Sequence, residues 1–189
     1  MSNYYSLNSL KKMGVKVFGT NVKISKLARI YNPTNLTIYN NVRIDDFTIL
    51  SGRGNIILKN YIHIGPFCFI TSYSNIIMNN YTGLSSGVKL FGSSDDYSGK
   101  FMTNPTIPSN YIGTKYGDII LNNHSIIGSN SIVLPNVTLG EGTAVGTSSL
   151  VNKDTNEWTI YGGTPVKIIK ERSKECKKFE KYLKIKSKI

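Results

Sequence analysis

Large apolar residues recur every six positions along most of this chain, and this period restricts the backbone more than any other feature of the sequence. A six-residue period drifts around a helix of about 3.6 residues per turn, so it argues against helices. Side chains alternate along a strand, so an anchor and the residue two positions before it share one face. The period predicts short strands separated by turns, with the anchors in the core. The anchors are Phe18, Ile24, Ile30, Ile38, Ile44, Leu50, Leu58, Ile64, Ile70, Met78, Leu84, Leu90, Leu121, Ile127, Val133, Leu139, Val145, Val151, Ile160 and Val166.

A second register supports the first, because a small or β-branched residue stands four positions after most anchors. These residues are Val22, Ala28, Val42, Thr48, Ile62, Cys68, Thr82, Val88, Ser125, Ser131, Val137, Thr143 and Ser149. Glycines that tolerate tight or left-handed turns follow several anchors, at Gly19, Gly65, Gly128, Gly140 and Gly146. Three hexads would close one triangular coil of about 18 to 20 residues, and stacked coils pair as parallel strands. The sequence therefore predicts a single all-β domain.

The pattern of an aliphatic residue, then Gly or an acid, two free positions and a small residue resembles the hexapeptide-repeat acyltransferases over roughly residues 15–170. Near the end, Val151-Asn152-Lys153-Asp154, Trp158 and Tyr161-Gly162-Gly163-Thr164-Pro165-Val166-Lys167 are similar to the exit signature of the sugar O-acetyltransferases. The resemblance implies a left-handed parallel β-helix, acetyl-coenzyme A as co-substrate, and a homotrimer with active sites in the clefts between subunits.

Three segments follow from the pattern. Residues 1–14 form an N-terminal segment, residues 15–166 the β-helix domain, and residues 167–189 a basic C-terminal helix or tail. Within the domain, residues 91–117 interrupt the repeat and must loop outward, and loops of this length are usually functional. The galactoside and maltose O-acetyltransferases, which this chain resembles, have a similar excursion that reaches into the neighbouring subunit's cleft.

The net charge of +12 is concentrated at the C-terminus, where residues 167–189 hold ten Lys or Arg against three Glu. Such a tail suits nucleic acid, an anionic membrane or a phosphate-bearing cofactor. No aromatic stacking module accompanies it, so nucleic acid is not an expected partner. No signal peptide or stretch of about 20 apolar residues is evident, so we expect a cytoplasmic protein without stable membrane insertion. Cys68 and Cys176 are expected to be reduced thiols.

The candidate general base is a histidine, and the chain has two. His63 precedes the anchor Ile64 and should face outward, while His124 should project outward at a turn. In the sugar O-acetyltransferases the catalytic histidine begins the long loop, where this chain has Asp95 beside Asp96. We therefore expect His63, or else His124, to be the base, and Asp95 or Asp96 to orient it.

The resemblance also implies a cofactor site. It maps the backbone donor for the thioester carbonyl to Gly128-Ser129, with Gly146-Thr147 repeating that geometry one coil on. It maps phosphate and ribose contacts to Lys153, Lys167 and Lys170. No metal is expected, because the γ-type carbonic anhydrases of this fold need three histidine ligands and the chain has only two histidines.

These features lead to one expected function and two alternatives. The expected function is transfer of an acetyl group from acetyl-coenzyme A to a saccharide hydroxyl by direct attack in a ternary complex. The first alternative is N-acetylation of a nucleotide-linked amino sugar, although such enzymes often begin with a nucleotide-binding domain that is absent here. The second is a noncatalytic scaffold, which the mixed, charged outward positions disfavour.

Overall fold

The chain winds into a parallel β-solenoid of about seven turns in the computed structural model, which describes residues 3–186. Each coil contributes one short strand to each of three sheets, and neighbours in a sheet come from successive coils. For example, Ile38 pairs in register with Leu58, and Leu58 pairs with Met78, one coil of twenty residues further on. The predicted all-β parallel coil, with an excursion loop and a C-terminal helix, is confirmed.

The three sheets are the faces of a triangular prism. The first face contains Lys16–Val17, Leu36–Ile38, Asn55–Leu58, Asn75–Met78, Ile119–Leu121 and Val137–Leu139. The second face contains Val22–Ile24, Val42–Ile44, Ile62–Ile64, Gly83–Leu84, Ile126–Ile127, Ala144–Val145, Thr159–Gly162 and the antiparallel Lys167–Glu171. The third face contains Arg29–Ile30, Ile49–Ser51, Phe69–Thr71, Lys89–Phe91, Ile132–Val133 and Leu150–Val151. Within each coil the first corner follows the first face, the second corner follows the second, and the third corner follows the third.

Both predicted registers point into the core. Anchors such as Ile64 and Leu121 are fully buried, and all members of the second register are buried as well. Two of the hydroxyls among them donate to carbonyls of the next coil, Thr48 Oγ1 to Gly65 and Ser131 Oγ to Gly146, each at 2.9 Å. Others, such as Thr82 Oγ1, donate to a carbonyl of their own coil. The apolar core therefore tolerates these buried hydroxyls, because each of them has a hydrogen-bond partner.

Asparagine side chains stack along the first corner. The Nδ2 of Asn40 donates to Oδ1 of Asn60 at 2.9 Å, and Asn60 donates in the same way to Asn80 at 2.9 Å. The same oxygen of Asn60 accepts from the backbone N–H of Asn40 at 3.0 Å. The ladder explains why Asn recurs at one position of successive coils, where it satisfies turn donors that the strands do not reach.

Two predicted anchors are wrong by one position. Phe18 is 70% exposed, because Val22 follows Val17 by five positions, where Val42 follows Ile38 by four, and Val17 is the residue that pairs with Ile38. In the last coil Ile160 lies on the outer side of its strand, and Tyr161, which is 4% exposed, pairs with Val145. Irregular spacing in the terminal coils shifts the period at both ends.

Both ends of the prism are covered. At the start, the helix Leu7–Lys12 buries Leu10 completely against the first coil, and its N-cap Ser6 accepts from the backbone N–H of Ser9 at 3.1 Å. At the other end, the prediction of helix from residue 167 is wrong. Lys167–Glu171 is a strand that folds back antiparallel on Thr159–Gly162, since the chain reverses through residues 163–166 and β-branched residues favour a strand.

Helix follows only after this strand, as a 3₁₀ helix at Glu175–Phe179 and an α-helix at Glu180–Lys186. A further 3₁₀ helix lies at Pro33–Asn35. Residues 1–2 of the predicted N-terminal segment and residues 187–189 of the predicted tail lie outside the described residues. No helix within residues 3–186 has both the length and the apolar character needed to cross a bilayer.

The excursion leaves the prism at the third corner. Ser93–Ser94 pairs antiparallel with Lys115–Tyr116 at the base of the loop, and a 3₁₀ helix at Ser109–Tyr111 lies within it. Asp118 then anchors the returning chain by accepting from Ser74 Oγ and, at 2.8 Å, from the backbone N–H of Asn75. These hydrogen bonds, the one from Ser74 foremost, hold the pKa of Asp118 below its usual value.

Candidate functional site

One ladder of side chains runs along the outer side of the second face, parallel to the prism axis. In register from the first coil to the last, it consists of Lys23, Arg43, His63, Gly83, Ile126, Ala144 and Ile160. The members before Gly83 are cationic or polar, and those after it are apolar. Gly83 therefore lies where the ladder changes character.

A groove opens beside Gly83 because this rung of the ladder has no side chain. The groove has a volume of about 360 Å³ and is bordered by His63, Pro66, Ser85, Ile126 and Ser129. A Cβ built on Gly83 would meet only the His63 carbonyl oxygen, at 3.9 Å, so the backbone does not require glycine here. The missing side chain instead leaves space for a ligand between a histidine and an isoleucine.

His63 is held in the groove wall by a carboxylate of the preceding coil. Its Nε2 lies 2.8 Å from Oδ2 of Asp45, and Oδ1 of Asp45 accepts from Nε of Arg43 at 2.6 Å. Burial raises the pKa of Asp45, but the hydrogen bonds from His63 and Arg43 outweigh it, so the pKa is lowered. An ionised carboxylate can only accept, so Nε2 of His63 carries a proton and Nδ1 keeps its lone pair in the neutral ring.

His124 lies elsewhere and is not exposed as predicted. It occupies the first corner with φ of 63°, and its residue is only 9% exposed. The ring stacks on Tyr81 at 4.9 Å between centroids and lies 5.8 Å from Trp158, while Nε2 is 2.8 Å from Oε1 of Glu180. The C-terminal helix covers this corner, which is why a turn residue that should face outward is enclosed.

Asp95 and Asp96 lie in the excursion loop and hold its shape. Asp95 accepts from the backbone N–H of Asn104 at 3.2 Å and from Thr114 Oγ1 at 3.1 Å. Asp96 accepts from Ser98 Oγ at 2.8 Å, and that bond is the main reason its pKa is lowered. Within residues 3–186 of one chain neither carboxylate contacts a histidine, and Asp45 occupies the orienting position expected of them.

The turns after Ile127 and Val145 present backbone donors at the second corner. The N–H groups of Gly128 and Gly146 are used in the solenoid, donating at 2.8 Å to Val145 and Tyr161 respectively. The following N–H groups, those of Ser129 and Thr147, find no acceptor in the described part of the chain. Of the predicted turn pair Gly128-Ser129, it is therefore Ser129 that has a donor to offer.

The three predicted phosphate-binding lysines do not lie together in one chain. Lys167 and Lys170 pair with Gly162 and Ile160, and a bulge between those pairs puts both lysines on the outer side of the second face. Lys153 follows Leu150–Val151 and is exposed at the third corner, which is the corner opposite that face. No cluster of three or more potential metal ligands occurs among residues 3–186.

Sequence reasoning missed three residues of this site, namely Arg43, Asp45 and Gly83. Their signal lies in the coil period: Arg43 and Gly83 stand twenty residues before and after His63, so aligning coils rather than hexads places them on its ladder. Asp45 follows the anchor one coil earlier.

Comparisons with known proteins show which proteins this chain is similar to. No family model matches the chain. A curated relative, the dTDP-4-amino-4,6-dideoxy-D-glucose acyltransferase of Escherichia coli, is 43% identical over 176 residues, which cover 93% of this chain and 92% of the relative. AntD, an N-acyltransferase from Bacillus cereus solved in complex with dTDP and 3-hydroxybutyryl-CoA, is 42% identical with a TM-score of 0.93 and full coverage of both chains.

A more distant solved structure shares the fold alone. The maltose O-acetyltransferase from Clostridium difficile 630 is 16% identical with a TM-score of 0.56, over 88% of this chain and 74% of that one. The solenoid, the groove on its second face and the near full-length similarity to the Escherichia coli enzyme agree with one another. The chain therefore belongs to the hexapeptide-repeat sugar acyltransferases.

Proposed function

We propose that the protein transfers an acyl group from a coenzyme A thioester to the amino group of a dTDP-linked 4-amino-4,6-dideoxy sugar. The proposal rests on the groove beside Gly83, which has a histidine on one side and, on the other, the Ser129 N–H, for which residues 3–186 offer no acceptor. The Escherichia coli relative acts on this sugar nucleotide, and AntD has been solved with it and coenzyme A. N-acylation, the first alternative from the sequence, is thus better supported than O-acetylation.

Recognition of a dTDP-linked sugar does not require a separate nucleotide-binding domain in this family. The Escherichia coli relative, which its name describes as acting on such a sugar, is matched by this chain over 92% of its own length. An enzyme of this family therefore acts on a dTDP-sugar with little more than the solenoid. The nucleotide must then be recognised by the coils, the excursion loop or a neighbouring subunit.

In the proposed reaction the sugar amine attacks the thioester carbonyl carbon, a C–N bond forms and the C–S bond breaks. His63 accepts the proton from the nitrogen at Nδ1, because Nε2 is already donating to Asp45. Asp45 fixes the tautomer of the ring and stabilises the imidazolium that forms. The proton passes finally to the departing sulfur as the free thiol.

Charge develops on the thioester oxygen as the amine attacks, and a preorganised donor stabilises it. The N–H of Ser129 lines the groove and has no other acceptor within residues 3–186, so we assign it this role. Thr147 offers an equivalent N–H one coil further on, toward the coenzyme. The N–H groups of Gly128 and Gly146 are occupied, and Gly128 contributes by bringing successive coils close together.

A homotrimer is supported by the place of the other predicted site residues in the prism. In a triangular prism the third corner lies opposite the second face, so the excursion loop with Asp95 and Asp96 extends away from His63 of its own chain. The same holds for Lys153. In a trimer of parallel prisms, these residues would border the groove of the neighbouring subunit.

Variants of AntD support a role for the groove serines and the loop aspartates. Its solved structures include replacements of a serine and of an aspartate ten positions apart. In this chain Ser85 and Asp95 have that separation, and so do Ser86 and Asp96. Both serines line the groove, and both aspartates lie on the loop that we assign to a neighbouring groove.

A direct assay tests the proposal. The protein is mixed with acetyl-coenzyme A or 3-hydroxybutyryl-coenzyme A and with dTDP-4-amino-4,6-dideoxyglucose, and free thiol is measured while mass spectrometry identifies the product. dTDP-glucose, which offers only hydroxyls on the hexose, is the matched control. We expect thiol release and an amide product with the amino sugar alone; equal or faster acylation of dTDP-glucose would overturn the proposal.

Light scattering tests the trimer, which a strict monomer with full activity would contradict.

A further inference from the structure

We infer that Lys23 and Arg43 bind the diphosphate of the acceptor nucleotide, so that the acceptor occupies the N-terminal half of the groove and the coenzyme the C-terminal half. This inference rests on the proposed function and assigns each substrate to its half of the ladder. Its basis is the change of chemistry along the outer side of the second face.

The two halves of the ladder differ in what they can bind. Beyond Gly83 the outward residues are Ile126, Ala144 and Ile160, an apolar track that suits the long arm of a coenzyme A thioester. Lys167 and Lys170 lie at the far end of this track on the same side. Before Gly83 the ladder holds His63, Arg43 and Lys23, which suit a polar, anionic ligand instead.

The guanidinium of Arg43 is oriented and has terminal nitrogens available to bind a phosphate. Its Nε donates to Asp45, which leaves both terminal nitrogens of the guanidinium without a hydrogen-bond partner among the described residues. The side chain is 56% exposed and oriented by that single bond. A guanidinium fixed at Nε presents two parallel N–H groups, and these match two oxygens of a phosphate.

Lys23 adds a second cation one coil away. It pairs in register with Arg43 across the adjacent strand, so their backbones are about 4.8 Å apart. Its side chain is exposed, and its ammonium contacts no acceptor within residues 3–186. Asp45 lies nearby, but its negative charge is already shared between Arg43 and His63.

The spacing fits the chemistry of the acceptor. Arg43 lies two coils from Gly83, which is about 10 Å at the usual distance between strands. In a nucleotide-linked 4-amino sugar, one hexose ring separates the diphosphate at C1 from the nitrogen at C4. A diphosphate on Lys23 and Arg43 therefore directs the amine toward Gly83, where His63 and Ser129 meet the thioester.

The test compares enzyme variants with a shortened acceptor. The variants are Lys23→Met and Arg43→Gln, and the substrates are dTDP-4-amino-4,6-dideoxyglucose and the same amino sugar without the nucleotide. We expect each variant to lower kcat/KM for the nucleotide-linked acceptor by about 10- to 100-fold, the size of a lost charge-assisted hydrogen bond. On the free amino sugar Lys23→Met should change kcat/KM by less than about threefold, because nothing is left for the ammonium to bind. Arg43→Gln also loses its bond to Asp45, so its effect on diphosphate binding is the loss on the nucleotide-linked acceptor beyond that on the free sugar.

Lys16→Met is the matched control, because Lys16 is an exposed lysine on the first face, away from the groove. It should leave both substrates unaffected. Binding provides an independent readout: Lys23→Met should weaken the thermal stabilisation by dTDP and preserve that by coenzyme A. Lys23 has no contact with Asp45, so this variant separates phosphate binding from the support of His63.

The outcomes are distinguishable. If the wild-type protein fails to acylate the dTDP-linked amino sugar, the proposed function is wrong. If it acylates that sugar and both variants keep their kcat/KM and their dTDP binding, the inference is overturned and the function stands. Loss of coenzyme A binding in Lys23→Met with dTDP binding retained would also overturn it, since the two halves would then be reversed.

Discussion

Gly83 pairs in register with His63 on the adjacent strand, and the step from an imidazole to bare backbone forms the groove. Glycine in a strand usually marks a bulge or a close backbone approach. Neither applies here, because the nearest atom to a built Cβ is 3.9 Å away. The residue is explained by the space it leaves for a ligand.

Gly83→Val should therefore abolish function and preserve the fold. The added side chain fills the groove between His63 and Ile126, and misplacing reacting atoms by about 1 Å can cost on the order of 100-fold in rate. Stability should change by no more than about 0.5 kcal/mol, as for an ordinary surface position. Steady-state kinetics and thermal unfolding measure the two effects.

Gly128→Ala is the contrasting control. Its Cβ would lie 2.6 Å from the backbone nitrogen of Thr147, so this variant should lose stability. A Gly83→Val protein that is fully active, or one that unfolds as readily as Gly128→Ala, would contradict the assignment of the groove.

His63→Ala should lower kcat by about 10²- to 10⁴-fold, the usual contribution of a general base. Added imidazole should restore part of the rate, because the vacated space can accept the missing ring. Asp45→Asn should lower kcat less, since an amide oxygen can still accept from Nε2 without supplying a charge. A His63→Ala enzyme at the wild-type rate would exclude His63 as the base.

His124 is expected to support stability rather than the chemistry of the groove. His124→Ala should lower the free energy of unfolding by about 2 kcal/mol, because it removes ring stacking and a hydrogen bond to Glu180 in an enclosed corner. A double-mutant cycle with Glu180→Ala, followed by urea denaturation, isolates the coupling between the two residues. If His124→Ala keeps its stability and loses turnover instead, the histidine belongs to the catalytic site.

Acid should weaken the anchor at the end of the excursion loop. The pKa of Asp118 is lowered by hydrogen bonds from Ser74 and Asn75, so its ionised form stabilises the fold above the unfolded value of about 3.9. That stabilisation is lost as the pH falls through the lower folded pKa. Asp118→Asn should be less stable than wild type by about 1–2 kcal/mol at neutral pH and converge with it in acid. Parallel unfolding curves from pH 7 to 2 measure this, and a constant difference between the two proteins would contradict it.

The hexad period was sufficient to predict the coils, because burial of one face repeats with every strand. Its failures at Phe18 and Ile160 occur where the coil length changes: the first coil gains a residue, and the last pairs Val145 with Tyr161 after sixteen residues instead of eighteen. The strand at Lys167–Glu171 was missed because its apolar residues also fit the apolar face of a helix. The segment is a strand because the edge of the second-face sheet offers it backbone hydrogen bonds. The enclosure of His124 depends on a helix packing from 56 residues away, which no local pattern reveals.

The candidate site was less predictable than the fold. His63 was found because histidines are few, but the carboxylate that orients it comes from the preceding coil rather than from the loop. Asp45 and Arg43 carry no motif, and their importance follows from the twenty-residue offset that stacks them beside His63. That Asp95, Asp96 and Lys153, which lie at the opposite corner, border the groove of a neighbouring subunit stays a prediction.

The covered ends of the prism also determine how the molecule behaves toward other copies of itself. A stack of parallel strands with bare terminal coils would offer backbone donors and acceptors to any similar coil, and chains could add end to end into fibres. The returning strand Lys167–Glu171, rich in charge, covers the last coil at the second face, and the helix Leu7–Lys12 packs on the first coil. Both elements oppose growth along the axis and favour self-association through the sides of the prism, where the groove lies.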